Sequence, residues 1–156
     1  VTTTTVRIEA VPYSDPDAAL LRAELMADLS RRYGLENGDE TPVTAAEFEA
    51  PHGGLLIALE ADQPLGCVAW RSHEDGVAEL KRMWVRPAAR GRGIARALLA
   101  AIETAAREAG RGRMILETGI AQPEAIALYE SSGYQRIADF GYYAGEAEVR
   151  SYGRDL

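Results

Sequence analysis

Arg90-Gly91-Arg92-Gly93-Ile94-Ala95 sits between a run that reads as a strand, residues 77–85, and one that reads as a helix, residues 94–110. Glycines let a backbone curl until successive N–H groups point into one hollow. The first N–H groups of a helix have no internal acceptor, and the helix dipole adds partial positive charge there. A strand, a glycine turn and a helix start together make an anion site. Arg90, Arg92 and Arg96 add formal charge, which suits a diphosphate better than a lone carboxylate. The plainer alternative is a glycine-rich turn beside a solvated basic face.

Upstream of this turn, residues 4–10 alternate as a strand. Ser14-Asp15-Pro16-Asp17 offers a capping side chain, an early proline and an acid at the positive end of a helix. Leu21, Leu25, Leu29 and Tyr33 continue that helix until Gly34. Residues 35–42 are acidic and turn-rich, and a short helix is expected over 44–49. Strands are expected over 55–60, 65–72 and 77–85, joined by the turns Ala61-Asp62-Gln63 and Glu74-Asp75-Gly76. Downstream, Ile94, Leu98, Ile102, Ala105 and Ala109 share one helix face, and Glu103 and Arg107 are spaced to pair across one turn. Residues 113–118 read as a strand, 123–132 as a helix, and 134–138 and 148–153 as the last strands. A meander followed by strand–helix–strand–helix–strand order gives one α/β (α+β) domain over 1–156, with helices on both faces of its sheet.

The formal net charge of -7 argues against a nucleic-acid partner, which needs a surplus of Lys and Arg. Within this acidic chain Arg82, Arg86, Arg90, Arg92 and Arg96 are concentrated, as at a local anion site. No apolar run approaches the ~18 residues that span a bilayer, so no membrane partner is expected. Val1-Thr2-Thr3-Thr4-Thr5 lacks the basic and apolar regions of a signal peptide. The single cysteine, Cys67, excludes an intramolecular disulfide framework and suits the cytoplasm; it reads as a buried structural thiol. His52 and His73 have no metal-ligand spacing, and no metal is expected.

Two phosphate motifs compete for the glycine turn. A P-loop needs Gly-x-x-x-x-Gly-Lys-Ser/Thr, which is absent. A dinucleotide fingerprint needs a third glycine where Arg96 stands, although Glu117 could imitate its ribose-binding acid. The turn also follows an antiparallel meander, which a dinucleotide domain does not provide. Arg90 to Ala95 instead resembles the Arg/Gln-x-x-Gly-x-Gly/Ala pyrophosphate loop of the GCN5-related N-acetyltransferases, the GNAT family. Glu79-Leu80-Lys81-Arg82-Met83-Trp84-Val85 looks like that family's fourth strand, and Leu98-Leu99 occupies its aliphatic helix positions. Leu128-Tyr129-Glu130-Ser131-Ser132-Gly133-Tyr134 resembles its Leu-Tyr-x-x-x-Gly-Phe/Tyr segment.

The resemblance implies a mixed, mostly antiparallel sheet of six to seven strands, splayed between strands 4 and 5 and flanked by about four helices. Acetyl-CoA would lie in the split, on the backbone of Met83, Trp84 and Val85, with Arg90, Gly91, Arg92, Gly93, Ile94, Ala95 and Arg96 around its pyrophosphate. Gln122 stands where many relatives carry an asparagine that contacts the pantetheine arm.

Acetyl transfer to an amine needs a neutral nucleophile, a stabilised oxyanion and a proton for the departing thiolate. Glu79 is the candidate base, matching a glutamate of the histone-modifying branch. Period-two alternation puts it on one face with Lys81, Met83 and Val85; the plainer reading is a strand glutamate paired with Lys81 or Arg82. Tyr129 is the candidate acid toward the coenzyme A sulfur, or else a core aromatic. Glu117 could bind the amine or act as the base. Tyr33, the acids of 35–42 and Phe140-Gly141-Tyr142-Tyr143 surround the expected acceptor site, with Tyr142 a candidate contact. The expected activity is acetyl-CoA-dependent N-acetylation of a small amine or amino-acid-like molecule. A non-catalytic acetyl-CoA-sensing module and a protein or peptide N-acetyltransferase are the alternatives, and a homodimer is left open.

Overall fold

A computed structural model describes residues 5–156. Residues 1–4, which include the first residue of the strand expected over 4–10, lie outside the described residues. The chain runs β1 (Val6–Ala10), α1 (Pro16–Tyr33), β2 (Gly53–Glu60), β3 (Gln63–Glu74), β4 (Val77–Val85), α2 (Ile94–Glu108), β5 (Arg113–Gly119), α3 (Pro123–Ser131), β6 (Gln135–Arg136) and β7 (Val149–Asp155). Single 3-10 turns cover Ala45–Phe48, where a short helix was expected, and Pro87–Ala89. The Asp15 carboxylate starts α1 by accepting the Asp17 and Ala18 N–H groups at 2.9 and 3.1 Å, which have no acceptor inside the helix.

The strands form one sheet in the order β1-β2-β3-β4-β5-β7-β6, antiparallel except between β4 and β5. Leu21 and Leu25 of α1 are buried with Leu55, Ile57, Cys67 and Trp84 on one face. Leu98, Leu99 and Ile102 of α2 and Tyr129 of α3 are buried with Val68, Met114 and Leu116 on the other. Glu103 does not form the expected pair with Arg107. It lies on the buried stripe of α2, where Tyr134 Oη donates to it at 2.7 Å and Arg154 Nη1 at 3.0 Å. A desolvated carboxylate needs such donors more than a solvated helix neighbour.

Two irregularities of β4 create the site. Pairing with β5 covers only Val77↔Arg113, Ala78↔Met114 and Glu79↔Ile115. Beyond that point the strands diverge, while β5 stays paired with β7 along its whole length. The edge of β4 from Leu80 to Val85 is thus open toward β5. Then Arg82, at φ 61°, adds one residue to β4: Ala69 faces Lys81, but Cys67 faces Trp84. A bulge of this kind reverses the side-chain alternation. Glu79, Lys81 and Trp84 therefore share the α1 side, and Met83 and Val85 turn to the α2 side with Leu80. The expected single face of Glu79, Lys81, Met83 and Val85 is broken between the second and third of these residues. The Cys67 thiol donates to the Arg82 carbonyl at 3.2 Å inside the bulge, and burial pushes that thiol up to about 12.

Candidate active site

The split between β4 and β5 holds a cavity of about 560 Å³. Lys81, Arg82 and Met83 line it from β4, Glu117 and Thr118 from β5, and Gln122 and Tyr129 from α3 and its start. Tyr33 at the end of α1, Asp39 in the following loop, and Tyr143 in the loop before β7 close the other side.

Glu117 is an acid of this cavity that no cation pairs among the described residues. Both its carboxylate oxygens are shielded from solvent and neither has a hydrogen-bond partner. Burial raises its carboxyl above its ordinary value; Lys81 and the nearby Tyr143 backbone N–H pull it back, and Glu79 and Asp39 push it further up. The backbone of Gly141 packs against it, and a Cβ there would come within 2.2 Å of Oε1. Tyr129 is 4% exposed, and burial pushes its phenol up with no charged or hydrogen-bonding neighbour contributing.

Glu79 is 2% exposed and does not line the cavity. Its Oε1 accepts from Arg71 Nε at 2.9 Å, and Lys81 Nζ lies 3.9 Å from Oε2. Asp39 is held from every side. Lys81 Nζ and Arg82 Nη1 reach its Oδ2 at 3.1 and 2.6 Å. The Thr41 N–H, the Thr41 hydroxyl and the Tyr143 hydroxyl donate to Oδ1 at 3.0, 2.6 and 3.2 Å. Burial opposes ionisation of Asp39, but Lys81, Thr41 and Arg82 together outweigh it and hold the carboxyl well below the ordinary range.

Tyr33 donates to Gln122 Oε1 at 2.9 Å, joining two residues of the expected site; burial pushes its phenol up to about 12. Tyr142 is 55% exposed and outside the cavity lining, while its neighbour Tyr143 lines it and accepts the Glu40 N–H at 2.7 Å. Sequence reasoning passed over the joint role of Asp39, Lys81 and Tyr143. Asp39-x-Thr41 is a visible turn signal, but its partners lie far away in the chain.

The glycine turn lies where β4 ends, outside the cavity. Gly91 and Gly93 have φ of 78° and 77°, and an added Cβ at either would meet nothing within 4 Å. Backbone conformation, not crowding, requires glycine at these two positions, and the space beside them is open. Arg82, Arg86 and Arg92 are paired with Asp39, Glu24 and Glu60. Arg90 instead donates to the Val85 carbonyl at 3.0 Å, and Arg96 to the Ser132 and Ser131 hydroxyls at 3.1 and 3.0 Å. These two arginines keep charge that no carboxylate among the described residues offsets. Among the described residues no group of three or more His, Cys, Asp or Glu is placed to hold a metal ion. None of their helices is long and apolar enough to cross a membrane.

An open strand edge inside a splayed sheet, with a basic glycine turn at its end, defines a class of proteins that hold an extended, diphosphate-bearing ligand. A family model described as the acetyltransferase (GNAT) family matches residues 21–134. The chain belongs to that family. It is 44% identical over 90 residues to an IAA acetyltransferase of Azospirillum brasilense, covering 57% of this chain and 59% of that protein. It is 31% identical over 134 residues to a protein of Mus musculus named as a probable N-acetyltransferase family 8 member, covering 83% of this chain and 52% of the other. The chain thus spans less than two thirds of the length of either relative. A Klebsiella pneumoniae structure provisionally described as an acyl-CoA N-acyltransferase superposes with a TM-score of 0.82 at 28% identity, covering 99% of both chains. An acetyltransferase structure from Salmonella typhimurium, solved with its cofactor acetyl-CoA, superposes with a TM-score of 0.71 at 20% identity, covering 97% of this chain and 94% of that one.

Proposed function

We propose that the chain is an acetyl-CoA-dependent N-acetyltransferase acting on the primary amine of a small molecule. The observation that carries this reading is that one cavity, beside an open strand edge, holds an unpartnered carboxylate, Glu117, and a buried phenol, Tyr129. Three features of the chain fit acetyl-CoA. The free edge of Leu80 to Val85 can take an extended amide arm as a strand takes a neighbour. The N–H groups at Gly91 to Arg96 can take a diphosphate, and Arg90 and Arg96 supply its counter-charge. Gln122 and Met83 line the cavity beside that edge. A structure of the same fold was solved with acetyl-CoA as its cofactor.

Acetyl-CoA supplies an activated acetyl group with a thiolate leaving group. An ammonium has no lone pair, so the chain must remove a proton first. We assign that role to Glu117, because a buried carboxyl with a raised pKa is a stronger base than an ordinary one. Glu79, the alternative base, is engaged by Arg71, and its role here is to balance Arg71 and Lys81. Tyr129 holds a proton at neutral pH and is assigned to deliver it to the departing sulfur. The cavity volume suits a small acceptor, and Tyr143 ties the loops that roof it.

Release of coenzyme A, with product mass, should be measured on a panel of amines, amino acids and peptides. Turnover of small amines is expected. Activity confined to peptide N-termini or peptide lysines would overturn the small-molecule reading. Tight acetyl-CoA binding without turnover of any acceptor would show a binding module instead.

A further inference from the structure

The cavity carries six charged side chains, and their pairing limits what can enter. Its two cations, Lys81 and Arg82, both meet the same oxygen of Asp39, at 3.1 and 2.6 Å. The other oxygen of Asp39 is filled by Thr41 and Tyr143. The remaining charged groups of the lining are Glu117, Glu146 and Glu148, all carboxylates. Asp39 is not on a regular element. It reaches the cations from the loop after α1, and Tyr143 reaches it from the loop before β7.

We infer that Asp39 occupies the position an acceptor's own carboxylate would need, so that the site selects amines lacking a carboxylate beside the amino group. This deepens the acetyltransferase reading and rests on it for the direction in which the amine faces. The physical basis is desolvation. A carboxylate taken from water into the cavity requires a cation or several donors in exchange. Arg82 is matched by Asp39, and Lys81 by Asp39 with Glu79 at 3.9 Å behind it, and three further carboxylates would repel the newcomer. An ammonium has the opposite balance, since Glu117 has no partner to give up. Selection then comes from a repulsive element as much as from an attractive one. Of an amine and its parent amino acid, the amine is the acceptor.

The test uses matched pairs that differ only in the α-carboxylate, tyramine against tyrosine and histamine against histidine. Both kcat/KM by coenzyme A release and affinity by calorimetry on the coenzyme A-saturated protein are measured. The amine of at least one pair is expected to be preferred by about tenfold or more. In Asp39→Asn, which keeps an acceptor for Thr41 but not the charge, the preference should shrink toward unity or reverse. Asp39→Ala leaves room for a small anion beside Arg82, now unmatched, and Lys81, left with Glu79 alone at 3.9 Å. Its melting temperature should rise with added acetate more than with equal chloride, while that of the parent protein should not. An equal or better amino acid, binding of neither member of either pair, an unchanged ratio in folded Asp39→Asn, or no acetate effect on Asp39→Ala would each overturn the inference. If Asp39→Asn does not fold, the parent protein's ratio still decides. If acetyl-CoA binds and no amine is ever acetylated, the acetyltransferase reading fails, while the calorimetric ratio still reports on Asp39.

Discussion

Glu117 and Tyr129 face the same cavity but meet it with opposite proton requirements. The base must be ionised, so activity should rise with pH as Glu117 loses its proton. Burial raises that carboxyl, which places the rising limb above the ~4.3 of a free glutamate. Glu117→Gln should lower kcat by about 10² to 10⁴ and abolish the limb, whereas Glu79→Gln should retain it. A limb that survives in Glu117→Gln and vanishes in Glu79→Gln would return the base role to the strand glutamate. Tyr129→Phe removes only the phenolic proton from a buried ring. It should reduce kcat by about 10² with a smaller change in the KM for acetyl-CoA, because the ring still packs against Tyr134. Near-normal turnover in that variant would count against the acid.

The glycine turn and α2 act as a unit. Gly93 precedes α2 in a left-handed conformation with open space around its missing Cβ. Gly93→Ala therefore costs backbone strain of about 1–2 kcal/mol without a clash, and the turn relaxes away from that conformation. The expected outcome is a raised KM for acetyl-CoA with kcat little changed, read from steady-state kinetics. At the other end of α2, Glu103 ties the helix to Tyr134 and to Arg154 of β7. Tyr134→Phe should cost about 1–3 kcal/mol by urea denaturation, since it withdraws a donor from a buried carboxylate. The sequence shows these residues on helical and strand periods, but the Glu103–Arg107 spacing misleads. Periodicity ranks neighbours along one helix and carries no information about a donor arriving from β7.

At the scale of the whole molecule, Asp39 is the point where two loops and the bulged strand meet. Its carboxyl titrates below its unfolded value of ~3.9. A depressed pKa contributes stability that is present above the unfolded value and lost as pH falls toward the folded one. The melting temperature should therefore drop steeply as pH is taken below ~4. Asp39→Asn, already less stable near neutrality, should lose less over the same interval. Parallel melting curves for the two proteins across that interval would show that Asp39 is not the group responsible.

The sequence by itself determined the strand–turn–helix unit at Arg90 to Ala95, the main helices and the order of strands. Each of these rests on local rules: glycine for left-handed backbone, Asp15 and Pro16 for a helix start, periods of 2 and 3.6 for faces. Only the tertiary structure decided that Glu117, and not Glu79, faces the cavity. One extra residue at Arg82 moves Met83 and Val85 off the face of Glu79, since a strand period of 2 is inverted by any single insertion. Separation of β4 from β5 beyond Glu79 then leaves Glu117 lining the cavity without an ion-pair partner, while Arg71 covers Glu79. Asp39, an acid in a solvated-looking loop, became the counter-ion of Lys81 and Arg82. Charge pairing is a contact in space, and residues this far apart in the chain meet only when the sheet has formed.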